Sequence, residues 1–346
     1  MKKLQKELIY ETELEEEEER YKFKEIGKRV LSWTGKNLKF LFLPASRIDE
    51  LTIRETEYEK TVSKRKFIRR FKSVLTIVGI LLVFFVATLA VFPNWISPKT
   101  LHQALGIYNN AWGPPDATNL LGRTKFGRDV LARIIFGART SLTVALPAIA
   151  LSVIAGVAIG VIAAYYGGWI DALIMRIIDV FMAFPALILA LVFVVVLGNA
   201  FHTGPQIQYI MLAWGLLGIP YYSRLIRGNV LQARELPYIQ AARVSGAGNA
   251  RIMFRHILPN VIQPIIISVT FDIGGIILSL SGLAFLGYSD YRMIDWGNEI
   301  AQGRQYLYVA PWASLWPGLF ILLAVLGFML LGDGLRDALD PRLKNL

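Results

Sequence analysis

Long blocks free of Asp, Glu, Lys and Arg alternate along the chain with charged connectors, and about 20 apolar residues suffice for a helix to cross a ~30 Å hydrocarbon core. Five such blocks cover 73–98, 140–170, 180–223, 257–289 (interrupted only by Asp272) and 305–332. The third is too long for one helix. Its middle, Gly198-Asn199-Ala200-Phe201-His202-Thr203-Gly204-Pro205, is a cluster of turn formers. The pattern therefore predicts an all-α integral membrane protein with six spans, at 73–92, 142–165, 173–197, 207–224, 260–285 and 313–332. A polar stretch of 72 residues precedes the first span, so that span does not read as a cleaved signal peptide.

Composition agrees. Of 346 residues 54% are apolar and 18% charged, with a mean hydropathy of +0.46, whereas soluble domains carry roughly 25% charged residues. Cysteine is absent, which excludes disulfides, thiolate metal sites and cysteine nucleophiles. His102, His202 and His256 are scattered and suggest no metal site.

Charge sets the orientation, since Lys and Arg accumulate in cytoplasmic connectors. With the amino terminus inside, 29 basic residues fall on the inner side and 8 on the outer. Both termini are then cytoplasmic, although six of the outer residues (Lys99, Arg123, Lys125, Arg128, Arg133 and Arg139) crowd one connector. The expected organisation is a cytoplasmic tail (1–72), a first span with its extracytoplasmic loop (73–139), and a five-helix core (140–346) holding a cytoplasmic segment at 234–260. The tail carries 19 basic and 14 acidic residues. It reads as a solvated segment with a basic collar, or, over Ile26 to Leu43, as a segment lying on the membrane surface. Neither it nor the net charge of +11 suggests a nucleic-acid partner.

The cytoplasmic segment from Arg234 to Asn260 predicts a short helix. Pro237 suits a first helical position and Gly246 the left-handed position that ends a helix. Tyr238, Ala241, Ala242 and Ser245 share one face, small enough for another surface to approach closely. From composition alone it reads equally as a docking element or as a connector resting on headgroups.

The alanine pair, the glycine four residues later and His256-Ile-Leu-Pro259-Asn260 resemble the cytoplasmic "EAA" loop of permease subunits in binding-protein-dependent ABC importers. Asn119 to Leu142 looks like the segment before the second span of the C-type permease in dipeptide and oligopeptide importers. Gly332 to Arg342 looks like that family's carboxy-terminal "GDxLRDxLDPR" ending. Departures are Gln240 where the loop's name has Glu, Arg123-Thr124 where Thr-Asp is usual, Leu280 at the place of a frequent Glu, and Ser289 to Ile294 in place of a more Pro-rich loop.

The resemblance implies a type I ABC importer permease in the bacterial plasma membrane. A homologous B-type permease, two cytoplasmic ATPases and an extracytoplasmic peptide-binding protein would be its partners, besides membrane lipid and the peptide substrate. It also implies that Glu235, Pro237, Tyr238, Ala241, Ala242, Gly246, Pro259 and Asn260 form the ATPase-coupling element. No cofactor is expected in this chain, ATP and Mg belonging to the ATPases, and no reaction is catalysed by it. An ion-coupled secondary transporter, a permease for a metal chelate and a membrane-embedded enzyme are the rival readings.

Four further features need weighing. Gly122-Arg-Thr-Lys-Phe-Gly127 has P-loop glycine spacing but continues Arg128-Asp129, so it predicts no ATP site. Gly156-Val-Ala-Ile-Gly160 predicts close helix packing within the chain. Asp179 has Arg176 one turn away, which predicts an ion pair along one helix. Asp272 has no evident partner in the sequence and is a candidate pathway residue, as intramembrane carboxylates are by default.

Overall fold

A computed structural model describes residues 73–202, 206–289 and 293–339, all within the compact unit Phe67–Leu346. The readings of the amino-terminal tail, of Thr203 to Pro205, of Asp290 to Arg292 and of the terminal Asp340-Pro341-Arg342 lie outside the described residues. Apart from an isolated bridge between Arg123 and Asp129, regular structure among the described residues is helical. The longer elements are α1 (Val74–Val91), α2 (Val130–Tyr166), α3 (Gly168–Met182), α4 (Ala186–Ala200), α5 (Ile207–Ala233), α6 (Pro237–Val244), α7 (Gln263–Phe285), α8 (Trp296–Gly303) and α9 (Trp312–Leu339).

By length and composition α1, α2, α7 and α9 can each cross a membrane, and α3 with α4 makes a fifth span if the bent pair counts as one. The continuous third helix expected over 173–197 is a misreading: α3 and α4 meet at an angle of 88° across Ala183 to Pro185. Proline has no N–H to continue the ladder, and its ring biases the preceding residue, Phe184, away from helical backbone. α5 spans 27 residues, but Tyr221, Tyr222, Arg224 and Arg227 make it too polar to stand with the four on composition.

Helices also outrun the apolar windows. α2 begins twelve residues before the expected start at 142, because Asp129 caps it by accepting from Ala132 N–H at 3.2 Å. With 37 residues it is about 55 Å long.

The tightest packing joins α2 to α5 and follows from glycine. A Cβ at Gly156 would stand 2.7 Å from Tyr222 Cβ, and one at Gly160 would overlap the Ser223 carbonyl. Serines fasten the contact from both sides: Ser152 Oγ donates to Gly215 O at 2.7 Å, and Ser223 Oγ to Gly156 O at 3.0 Å. The GxxxG of α2 is thus internal packing, as its spacing predicts. α1 lies on α9 by the same device, with Gly79, Gly327 and Gly334 at the contact. Many large apolar side chains still face outward, among them Ile154 (72% exposed) and Leu315 (64%), as suits a bundle solvated by lipid.

Candidate functional site

Two polar assemblies sit at opposite ends of α2. Trp296 Nε1 donates to Ile134 O at 2.9 Å at one end, and Arg234 Nη1 donates to Ala164 O at 2.7 Å at the other. The thirty residues between these carbonyls correspond to about 45 Å of helix, more than the ~30 Å of a hydrocarbon core. The 234–260 segment and the 93–129 connector with α8 are therefore on opposite membrane faces.

At the Ala164 end, α6 starts with Pro237 at its first position and closes in a Schellman motif. Ala247 N–H donates to Ala242 O at 3.1 Å and Gly246 N–H to Arg243 O at 3.0 Å, with Gly246 at φ +80°. The left-handed glycine predicted from the sequence is in place. Ile239 is fully buried and anchors α6 in the core that also takes Ile252, Met253 and Ile257. The opposite face is open: Glu235, Pro237, Tyr238, Ala241 and Gly246 are exposed and Ala242 is half-buried.

Asn260, although 22 residues along the chain from Tyr238, donates to its hydroxyl at 3.4 Å and to His256 O at 2.7 Å, while Pro259 beside it is exposed. Sequence reasoning missed the struts. Arg234, which also holds Glu235 Oε1 at 2.9 Å, donates through Nη1 to Ala164 O, and Tyr165 Oη donates to Asn249 Oδ1 at 2.8 Å, so the segment is braced on the last turn of α2. It also missed Val244, 91% exposed at the tip of α6. Ala241 and Gly246 on the open side of α6 leave room for another surface to approach closely.

The structure does not place Asp272 with this group. Its Oδ2 accepts from Tyr222 Oη at 2.6 Å, a partner that was not evident in the sequence. Spacing cannot reveal a donor on another helix. The ion pair expected between Asp179 and Arg176 is corrected: the partner of Asp179 is Arg224 of α5. Eight residues earlier, Asp171 takes both Arg227 Nε at 2.6 Å and Nη2 at 2.5 Å.

At the Ile134 end, the Asn119 to Leu142 motif is architecture. Gly122 (φ +78°) lies against the Trp312 indole, Gly127 (φ +67°) against the Tyr108 backbone, and Arg128 Nε donates to Gly106 O at 2.7 Å.

Arg133, counted above among the basic residues of the outer connector, lies in the first turn of α2 and is buried. It pairs with buried Glu299, Nε to Oε1 at 2.6 Å, and donates to Ala104 O at 2.8 Å. Asp116 accepts from Thr118 Oγ1 at 2.6 Å, from Thr118 N–H and from Arg123, and these bonds hold its carboxyl well below the usual range. Burial pushes Asp129 up. Burial also pushes Asp295, the cap of α8, up to about 7 despite bonds from Gly297 and Asn298 N–H.

Residues 156–345 match the family model described as the binding-protein-dependent transport system inner membrane component. The chain is 40% identical to the dipeptide transport system permease protein DppC of Alkalihalophilus pseudofirmus over 275 residues, 79% of this chain and 88% of that one. It is 36% identical to the glutathione transport system permease protein GsiD of Pectobacterium atrosepticum, over 81% of this chain and 92% of that one. It is 38% identical to a putative peptide transport system permease protein of Brucella suis, over 77% of this chain and 88% of that one. With its bundle of apolar helices and its motifs in the expected order, the chain belongs to the family of binding-protein-dependent transport system inner membrane components, and is a multi-pass plasma-membrane permease component of an ABC transport system.

Proposed function

We propose that this chain is one of two permease subunits of an ATP-driven importer of short peptides, with α6 as the element that docks on a cytoplasmic ATPase. A B-type permease, two ATPases carrying ATP and Mg, and an extracytoplasmic peptide-binding protein complete the machine. Peptide cargo is supported by the relatives whose names specify dipeptide, glutathione and peptide transport. In this reading α5 is a sixth span, both termini are cytoplasmic, 1–72 is a cytoplasmic tail, 73–139 carries the first span and outer loop, and 140–346 is the core.

The observation that carries the coupling assignment is the ridge of exposed Glu235, Pro237, Tyr238, Ala241 and Gly246 with half-buried Ala242 beside them and Pro259 and Asn260 at its base, braced on α2 by Arg234. A push on α6 is transmitted to α2 through Arg234 and Tyr165, and from α2 to α5 through their glycine contact. ATP-driven closure of the ATPases would thereby bias the bundle between two packings.

Ala241→Trp and Gly246→Val test this by different physics. Ala241 is exposed, so a tryptophan there burdens only a docked partner, where overpacking costs ~1 to 3 kcal/mol. At Gly246 nothing lies within 4 Å of a Cβ, so valine acts by straining the left-handed turn that ends α6. Both variants are expected to reach wild-type membrane levels and to lose peptide-stimulated ATP hydrolysis or release the ATPases in a pull-down. Full ATPase retention with normal uptake in both would refute the docking role.

A further inference from the structure

The two ion pairs between α3 and α5 differ in setting. Asp171 and Arg227 engage through two bonds, with side chains 14% and 32% exposed. Asp179 meets Arg224 through one oxygen, and these side chains are 64% and 49% exposed. The first pair ties two helices together; the second adds open charge.

Its depth is fixed by neighbours. Arg224 lies two residues from Tyr222, whose hydroxyl bonds Asp272, the tenth of the 23 residues of α7. Asp272 is thus about 14 Å along membrane-spanning α7 from its start, and Arg224 about 14 Å along α5 from its end at Ala233. Beside it Tyr221 Oη and Ser268 Oγ are 3.2 Å apart, an exposed hydroxyl couple between α5 and α7. Gly228 and Gly275, one turn past Arg224 and Asp272, have nothing within 4 Å of where a Cβ would stand. Charged and hydroxyl groups at this depth are unfavourable against acyl chains, and such residues face a bundle interior or a water-filled cavity.

Resting on the reading of the chain as a peptide permease, we propose that the face carrying Asp179, Arg224, Tyr221 and Ser268 lines the aqueous path through the bilayer, where Arg224 takes the carboxylate and Asp179 the ammonium end of a passing zwitterionic peptide. The pair suits that cargo because it is neutral as a unit. A peptide that inserts between its members exchanges one neutral pair for two, so no uncompensated charge is left at membrane depth. The hydroxyls of Tyr221 and Ser268 supply donors and acceptors for a peptide backbone without selecting side chains, which suits varied sequences. Asp272, half-buried and engaged by Tyr222, is not needed for this role.

The absence of cysteine makes the test direct. Ser268→Cys is introduced into the complete transporter, and a hydrophilic methanethiosulfonate reagent is applied to right-side-out and inside-out vesicles. The probe is the shortest peptide, from dialanine to penta-alanine, that the wild-type transporter takes up. Reaction from at least one side, slowed by that peptide, is expected, with Ile154→Cys on the outer surface of α2 unreactive. A Ser268→Cys chain that resists the reagent from both sides has this face covered by lipid or by the partner permease, and the proposal falls.

Reaction without protection by the peptide removes the peptide contact and overturns the proposal equally. A second arm uses Arg224→Gln, expected to lower uptake on the order of tenfold, the worth of a lost charge-assisted bond, with Arg224→Lys retaining most of it. Normal uptake by Arg224→Gln at wild-type membrane levels would overturn the carboxylate role. If the wild-type transporter takes up none of these peptides with ATP, it is the functional reading that fails, an outcome separate from either arm.

Discussion

Asp295 caps α8 from a fully enclosed position: it is 3% exposed, its Oδ1 accepts from Gly297 N–H at 2.7 Å and Asn298 N–H at 3.3 Å, and its Oδ2 is buried without a partner. Desolvation raises its carboxyl from 3.8 to about 7. In an unfolded chain the group loses its proton near 4, so between these values the folded protein binds the extra proton. Stability from this group is fully present below about pH 4 and is lost as pH rises through about 7.

Each unit of displacement is worth about 1.4 kcal/mol, which sets a ceiling of about 4 kcal/mol on the loss by pH 8. Asp295→Asn keeps an oxygen to cap α8 and puts an uncharged amide where the lone oxygen lies. We expect the variant's advantage over wild type in thermal unfolding to grow by at least about 3 °C between pH 5 and pH 8, taking about 2–4 °C per kcal/mol for a unit of this size. The assay is thermal unfolding of the detergent-solubilised transporter across pH 5 to 8. Parallel profiles for the two proteins, or a variant less stable at pH 8, would refute the reasoning, the latter by showing that the ionised carboxylate is stabilising beside Arg133.

Three other outcomes are expected. Asn109→Cys, at an exposed position of the 93–129 connector, should react with an impermeant thiol reagent in intact cells, and reaction only after permeabilisation would invert the topology. Gly160→Leu should cost ~1 to 3 kcal/mol by prying α2 from Ser223 and Ile226 of α5, read as a fall in thermal stability, and an unchanged midpoint would refute the close approach. Asp272→Asn should leave uptake intact, since an amide oxygen can still accept from Tyr222, and uptake should ignore a protonophore at constant ATP, whereas an ion-coupled carrier would lose transport in both experiments.

The sequence determined the solvent of this protein and its helical class. A bilayer makes a charge on a spanning helix costly unless it is paired or turned from lipid, so spans appear as nearly uncharged windows, and the turn at Gly246 appears because glycine takes φ +80° without strain. The GxxxG of α2 was legible for the same local reason: missing side chains permit close backbone approach.

Tertiary structure alone decided where charges go. Arg133, Arg224 and Arg227 look alike in the chain, yet one is buried on Glu299, one is half open on Asp179 and one clasps Asp171, across separations that no periodicity encodes. The same holds for Tyr222 and Asp272, and for Tyr238 and Asn260. Hydrophobic patterning acts residue by residue against the solvent and can be read along the chain. A hydrogen bond or ion pair between helices depends on which faces glycine and serine allow to meet, and on a proline at 185 that bends a span, so it exists only once the bundle has packed.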